Sequence, residues 1–131
     1  MTVARQRRGR LAEEVAARRL EARGYAVLAR NVRLRRAECG VGGEIDIVAL
    51  DRGTLVFVEV KCGVEGSAYG PERPAMAVGR AKQLKLRRLA LAWLATKGRP
   101  GGSRGIRFDV IGVTVDGSDR VVGVEHLEGA F

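Results

Sequence analysis

Apolar residues recur every three to four positions from residue 4 to 23, where Leu11, Ala12, Val15, Ala16, Leu20 and Ala22 share one side of a helical projection. Gly24 follows as a natural C-terminal stop, so the spacing predicts a first helix over 4–23. Residues 25–36, YAVLARNVRLRR, begin with aromatic and β-branched positions and pass into basic alternation, which predicts a strand running out into the loop AECGVGG. GGEIDIVALDRGTLVFVEVK, residues 42–61, predicts two further strands about the turn DRGT. Residues 63–74, GVEGSAYGPERP, have the Gly, Ser and Pro of a loop. Helical spacing returns over 75–96, with Val78, Leu86, Leu89 and Trp93 on one side. KGRPGGSRG reads as a turn, 105–115 as a strand, DGSDR as a hairpin turn and VVGVEHL as a last short strand. The order αβββαββ predicts an α/β fold, a single mixed β-sheet flanked by helices. No repeat or linker divides the 131 residues, a length that suits one domain over 1–131.

The central hairpin breaks its own apolar pattern. With Arg52 and Gly53 as a two-residue turn, Asp51 pairs with Thr54, Asp46 falls across from Glu59, and Glu44 falls across from Lys61. Alternation then sets these four charges on one face with Val48, Leu50, Leu55 and Phe57, and leaves Ile45, Ile47, Ala49, Val56, Val58 and Val60 as an apolar opposite face. Opposed carboxylates repel, and partial burial adds to that penalty. A divalent cation reverses it, because hard cations such as Mg²⁺ take one or two carboxylates together with waters and substrate phosphates. Lys61, two residues beyond Glu59 and so on the same face, approaches a water or a scissile phosphate as a point charge. A salt-bridged cluster that merely satisfies itself is the structural alternative.

Charge adds a partner class. Lys and Arg number 24 against 15 Asp and Glu, a net charge of +9, with the arginines concentrated over 5–36 and 80–107. Such a chain is drawn to polyanions, nucleic acid first. Cys39, Cys62 and the lone His126 lack the paired spacing of a zinc site and are too few for a disulfide scaffold, so reduced thiols are expected. No apolar run approaches the roughly 20 residues of a membrane span, and the charged start MTVARQRRGRLAEEVA has no apolar signal core; a soluble, cytoplasmic protein without a membrane partner is expected.

The acid of GEID followed across a hairpin by the E-V-K of VFVEVK resembles the active-site signature of the PD-(D/E)XK nuclease superfamily. More narrowly, GRLAEEVAARRLEARGYAVLARN, GGEIDIVALD, LVFVEVK, YGPERPAMAVGRAKQLKLRRLALAWL and RFDVI together resemble the bacterial YraN family, over nearly the whole chain. The resemblance implies a restriction-endonuclease-like core and a Holliday-junction-resolvase-like, Mg²⁺- or Mn²⁺-dependent endodeoxyribonuclease acting on structured or branched DNA. It implies Asp46, Glu59 and the main-chain carbonyl of Val60 as metal ligands, with no small-molecule cofactor, and Lys61 as the residue that assists the attacking water. It also marks Glu13 as an active-site acid. The helical projection agrees, since Glu13 falls at the edge of the apolar face near Leu20 while Glu14 points away to solvent. Lys82 projects among Val78, Leu86, Leu89 and Trp93, where a lysine either snorkels outward or, as the family block implies, meets a phosphate. Gln83 at the edge of that face is placed to hydrogen-bond a water or phosphate. Arg80, Arg87 and Arg88 lie on the outer side, where a solvated basic face and a clamp on the DNA backbone look alike.

Three departures from the family pattern stand out. Ala12 replaces a glycine before Glu13; Cys62 and Gly63 replace the Thr-Arg that often follows the lysine; and AECGVG lengthens the approach to GEID. The second removes a cation beside the expected metal site. Cys62 shares parity with Val60 and reads as packing. A non-catalytic nucleic-acid-binding protein of the same fold, or an RNA-processing factor, remains open as an alternative, as does a homodimer. No aromatic platform for single strands is evident among Tyr25, Phe57, Tyr69 and Trp93.

Overall fold

The computed structural model describes residues 2–67 and 73–131. Helix α1 spans Val3–Ala22 and is opened by Thr2, whose hydroxyl accepts the Arg5 N–H at 3.2 Å. It stops where Gly24 turns into the left-handed region at φ 88. Ala12, Ala16, Ala17 and Leu20 form its buried stripe, and the three alanines let the helix lie close on the sheet. Strand β1 (Ala26–Leu34) leads into one helical turn, α2 (Arg36–Cys39), which ends at Gly40 with φ 80. The sequence pattern gives a plain loop here. Four residues without an apolar stripe leave no periodic signal.

Strands β2 (Gly43–Asp51) and β3 (Thr54–Val64) form the expected hairpin. Arg52 and Gly53 both take positive φ, 49 and 87, and Asp51 pairs with Thr54, so the two-residue turn holds even with arginine at its first position. Beyond the residues 68–72, on which Tyr69 of the expected loop also falls and which lie outside the described residues, a 3-10 turn at Pro74–Met76 precedes α3 (Arg80–Lys97). The predicted continuous helix over 75–96 therefore begins five residues later. Gly79 is its N-cap, and Val78 packs with Ala75 and Val110 in a small cluster of its own. Strands β4 (Ile106–Val115) and β5 (Val121–Leu127) complete a five-stranded mixed sheet in the order β1-β2-β3-β4-β5. Only β3 and β4 run parallel, joined across the sheet by α3. Both outer strands carry a register break, at Leu28 in β1 and beside Val122 in β5.

The two faces hold separate cores. One packs α1 on Ile47, Ala49, Val56, Val58, Ile111 and Val113; the other packs Leu86, Leu89 and Trp93 of α3 on Ile45, Val48, Leu55, Phe57 and Phe108. Ile45 thus lies on the opposite side from the one alternation gives it. Strict alternation fails because β2 leaves β3 after Ile47 and follows β1, where Asn31 has φ 50 between the paired Arg30 and Val32. The 3-10 turn is pressed onto the sheet. A Cβ on Gly63 would lie 2.7 Å from Pro74 Cγ, and one on Gly112 would lie 2.9 Å from Ala75 Cβ and collide with the Ala75 nitrogen.

Under α1, Asp109 is wholly buried and fully engaged. It accepts from Arg107 Nε at 2.8 Å and Nη2 at 3.0 Å and from the Gly129 N–H at 3.0 Å, and His126 Nε2 lies 2.7 Å away. Arg107 also reaches Asp51 and the Tyr25 hydroxyl. The RFDVI block therefore anchors the chain's last residues to the sheet.

Candidate active site

The hairpin ladder runs from Asp51↔Thr54 to Ile47↔Val58. One step further, the Asp46 carboxylate accepts the Val60 N–H at 2.8 Å, so a side chain takes over at the point where the strands part. This fork is why Asp46 and Glu59 do not continue as the opposed ladder pair that the turn arithmetic gives. The two acids remain close enough for Asp46 to feel the Glu59 charge.

Glu59 is 4% exposed. Its Oε1 lies 3.6 Å from Lys61 Nζ and 3.6 Å from Lys82 Nζ, so lysines from β3 and α3 converge on one oxygen. Its Oε2 has no hydrogen-bond partner among the described residues. Leaving a buried carboxylate oxygen unpaired is costly, which makes it a feature in need of a counter-charge. Beside it, one carboxylate oxygen each of Glu13, Glu44 and Asp46 lies within 4.8 Å of the others. Burial first, and then the Glu59 charge, push the Asp46 carboxyl up to about 7, against the pull of the Val60 N–H. Burial and the Glu44 charge raise Glu13 as well, while the nearby Asn31 side chain opposes the rise.

Four acids on three elements are thus drawn together, faced among the described residues by Lys61 and Lys82 at Glu59 and by Arg33, 3.9 Å from Glu44. Hard oxygen ligands at this density suit a divalent cation of the Mg²⁺ class, and the orphaned Glu59 oxygen and the proton-hungry Asp46 are the groups such a cation would relieve.

Five of the residues singled out in the sequence, Glu13, Asp46, Glu59, Lys61 and Lys82, meet here. Glu44 joins them from outside the expected ligand set, although its two-residue spacing from Asp46 is a signal that was present. The Gln83 amide nitrogen donates to the Val78 carbonyl at 3.0 Å, beside the first turn of α3. Arg80 is exposed at the first position of that helix. Glu14 is not free in solvent but bridges Arg18 and Arg30. Cys62 packs beside Val60 against the α1 core, as its parity predicts. Gly63 is the seat of Pro74, and a side chain there would displace the 3-10 turn.

A model of the family described as "Uncharacterised protein family UPF0102" matches residues 12–113. The chain belongs to the UPF0102 family. This is the YraN family of the sequence resemblance. The chain is 43% identical over 131 residues to a UPF0102 protein of Moorella thermoacetica, covering all of both chains. It is 49% identical over 128 residues to one of Parafrankia sp., covering 96% of this chain and 97% of the relative. A UPF0102 protein of Streptomyces coelicolor is 46% identical over 128 residues, 96% of this chain and 89% of its own. The UPF0102 match includes every one of the gathered site residues, from Glu13 to Lys82. No helix among the described residues is long and apolar enough to cross a membrane.

Proposed function

We propose that this UPF0102 chain is a divalent-cation-dependent phosphodiesterase that cuts nucleic acid, structured or branched DNA first among its substrates. The observation that carries the reading is Glu59, a buried carboxylate with two lysines on one oxygen and, among the described residues, no hydrogen-bond partner on the other, at the fork that also holds Asp46. Glu13, Glu44, Asp46 and Glu59 would hold the cation, with the Val60 carbonyl as a ligand that the family resemblance adds. A cation of the Mg²⁺ or Mn²⁺ class supplies positive charge and a lowered pKa to water.

The chain's own residues account for the remaining requirements. Lys61 and Lys82, 31% and 40% exposed, reach from the buried acid towards solvent, so a phosphodiester approaching the fork meets two ammonium groups first. They attract its charge and stabilise the further charge that builds on it during displacement. The Val60 N–H fixes one Asp46 oxygen, which leaves the other free to ligate. Arg80 and Arg88, exposed along α3, extend the positive surface for backbone contacts without reading bases.

The test is a cleavage time course on junction, flap, nicked and linear DNA and on structured RNA, with Mg²⁺, with Mn²⁺ and with chelator. Wild-type protein is compared with Asp46→Ala, Glu59→Ala and Lys61→Ala. Metal-dependent cleavage that each substitution abolishes, with binding retained, is the expected result. Binding by wild type without cleavage of any substrate would favour a non-catalytic binding module, and cleavage that persists in the acid variants would remove the assignment.

A further inference from the structure

A cavity of about 370 Å³ opens between α3 and β4, lined by Arg87, Leu91, Ile106, Arg107, Phe108 and Phe131. Its volume falls within the range of small-ligand pockets. Two of its lining residues, Phe108 and Phe131, continue a row of aromatic rings that starts in the core at Phe57. Phe57 and Phe108 lie 5.8 Å apart at 28°, and Phe108 and Phe131 lie 5.3 Å apart at 19°, so three rings follow one another in near-parallel planes. Phe57 is fully buried at the inner end, and Phe131 stands at the outer end beside the opening.

The two arginines of the wall differ in what they have left to give. Arg107 is committed to Asp51, Asp109 and Tyr25. Arg87 has its guanidinium over the rings, 4.9 Å from the Phe108 centroid and 5.7 Å from that of Phe131, and pairs with no carboxylate among the described residues. Its hydrogen-bonding edge is therefore open to an anion, and a guanidinium fork matches a phosphate. Leu91 is 65% exposed at the mouth, an apolar residue that nothing covers among the described residues.

The cavity's place relative to the acid cluster adds the third element. Phe108 is level with Phe57 in the β3–β4 register, and Glu59 is two residues beyond Phe57 on the same strand face. That is about 7 Å along the strand and about 5 Å across it. Arg87 and Lys82 share α3, five positions apart.

We propose that this cavity takes one unpaired nucleobase of a bound nucleic acid, stacked on Phe131 at the outer end of the row, with Arg87 on the adjoining phosphate. Flat apolar walls suit a base and the unpaired guanidinium suits the backbone beside it, whereas a fully paired duplex offers the phosphate without a free base. The inference rests on the nucleic-acid reading above and gives that reading a substrate preference: a strand with a base out of the stack, as at a branch, bulge or flap.

Two bulged DNA duplexes serve as probes, one with a single unpaired 2-aminopurine and one with an abasic residue in its place, bound in chelator so that no cleavage intervenes. The wild-type chain is expected to bind the 2-aminopurine bulge about tenfold more tightly than the abasic one, as stacking of a single base allows, with its fluorescence quenched. Leu91→Trp, which fills the mouth from an exposed position and so keeps the fold, should bring the two DNAs to equal affinity. Arg87→Ala should lower affinity for both and shrink the difference. Equal binding of the two probes by wild type overturns the cavity while the nucleic-acid reading stands. A preference that survives in Leu91→Trp and Arg87→Ala overturns it too. Failure to bind any DNA would take down the nucleic-acid reading itself.

Discussion

Replacing Asp46 by asparagine should make the protein more stable in chelator, although it removes a group at the centre of the candidate site. The wild-type carboxyl rises from its ordinary 3.8 to about 7 on folding, chiefly through burial and the Glu59 charge. Each tenfold change in proton affinity corresponds to about 1.4 kcal/mol, so the ionised side chain opposes folding by about 4 kcal/mol. The sign depends on pH in a defined way. Below 3.8 both states carry the proton and the penalty is absent; between 3.8 and about 7 the unfolded chain loses it while the folded one keeps it, and the penalty grows; above about 7 it is constant. Asparagine keeps an oxygen for the Val60 N–H, which bonds Asp46 at 2.8 Å, and carries no charge. After its own burial is allowed for, a gain of about 3 kcal/mol is expected at pH 8, shrinking towards zero near pH 4. Urea unfolding followed by circular dichroism at pH 4, 6 and 8, in chelator, measures the difference. An asparagine variant no more stable than wild type at pH 8 would refute the electrostatic account. Under the proposed function, Mg²⁺ or Mn²⁺ should raise the wild type alone and narrow the gap.

Two other substitutions probe the scaffold. Gly112→Ala puts a methyl against Ala75, 2.9 Å from its Cβ, so the 3-10 turn must move; a loss of about 1–3 kcal/mol in urea unfolding is expected, and unchanged stability would show that the turn yields freely. Burial pushes the Asp109 carboxyl up, but the bonds from His126 and Arg107 outweigh it and hold the group below its ordinary 3.8. It therefore contributes stability above pH 4 that is lost as pH falls through its folded value. Asp109→Asn should destabilise by about 3 kcal/mol at pH 7, with the difference from wild type closing as pH falls below 3.8 and through the folded value. A difference that stays constant across acid titration would contradict this.

Much of this architecture is legible in the sequence because it is locally encoded. The DRGT turn fixes the hairpin register, period-2 alternation places Glu59 with Lys61, and the alanine stripe of α1 aims Glu13 at the sheet. What escaped depends on contacts between distant residues. Ile45 changes face because Asp46 captures the Val60 N–H and β2 goes with β1, neither of which a hydrophobic pattern records. The start of α3 moved to Arg80 because Gly63 and Gly112 seat Pro74 and Ala75, a fit visible only when β3 and β4 lie side by side. Glu44 was legible as a neighbour of Asp46, but its meeting with Glu13 needed the helix in place. The row of Phe57, Phe108 and Phe131 brings together residues 74 positions apart at its ends, beyond the reach of any periodicity.

The sheet is open, and its two margins differ in how they guard against aggregation. An outer strand presents main-chain N–H and C=O groups to any other extended chain, and a bulge or a row of charges discourages the pairing. On β1 both devices operate: the register breaks at Leu28, and Arg30 and Arg33 follow on the exposed strand. On β5 the register break stands beside Val121 and Val122, 40% and 49% exposed, and the run VVGV carries no charge before Glu125, which Arg73 already holds. Intermolecular strand addition, where a crowded or partly unfolded population permits it, therefore has its easier point of entry at β5, on the margin three strands away from β2.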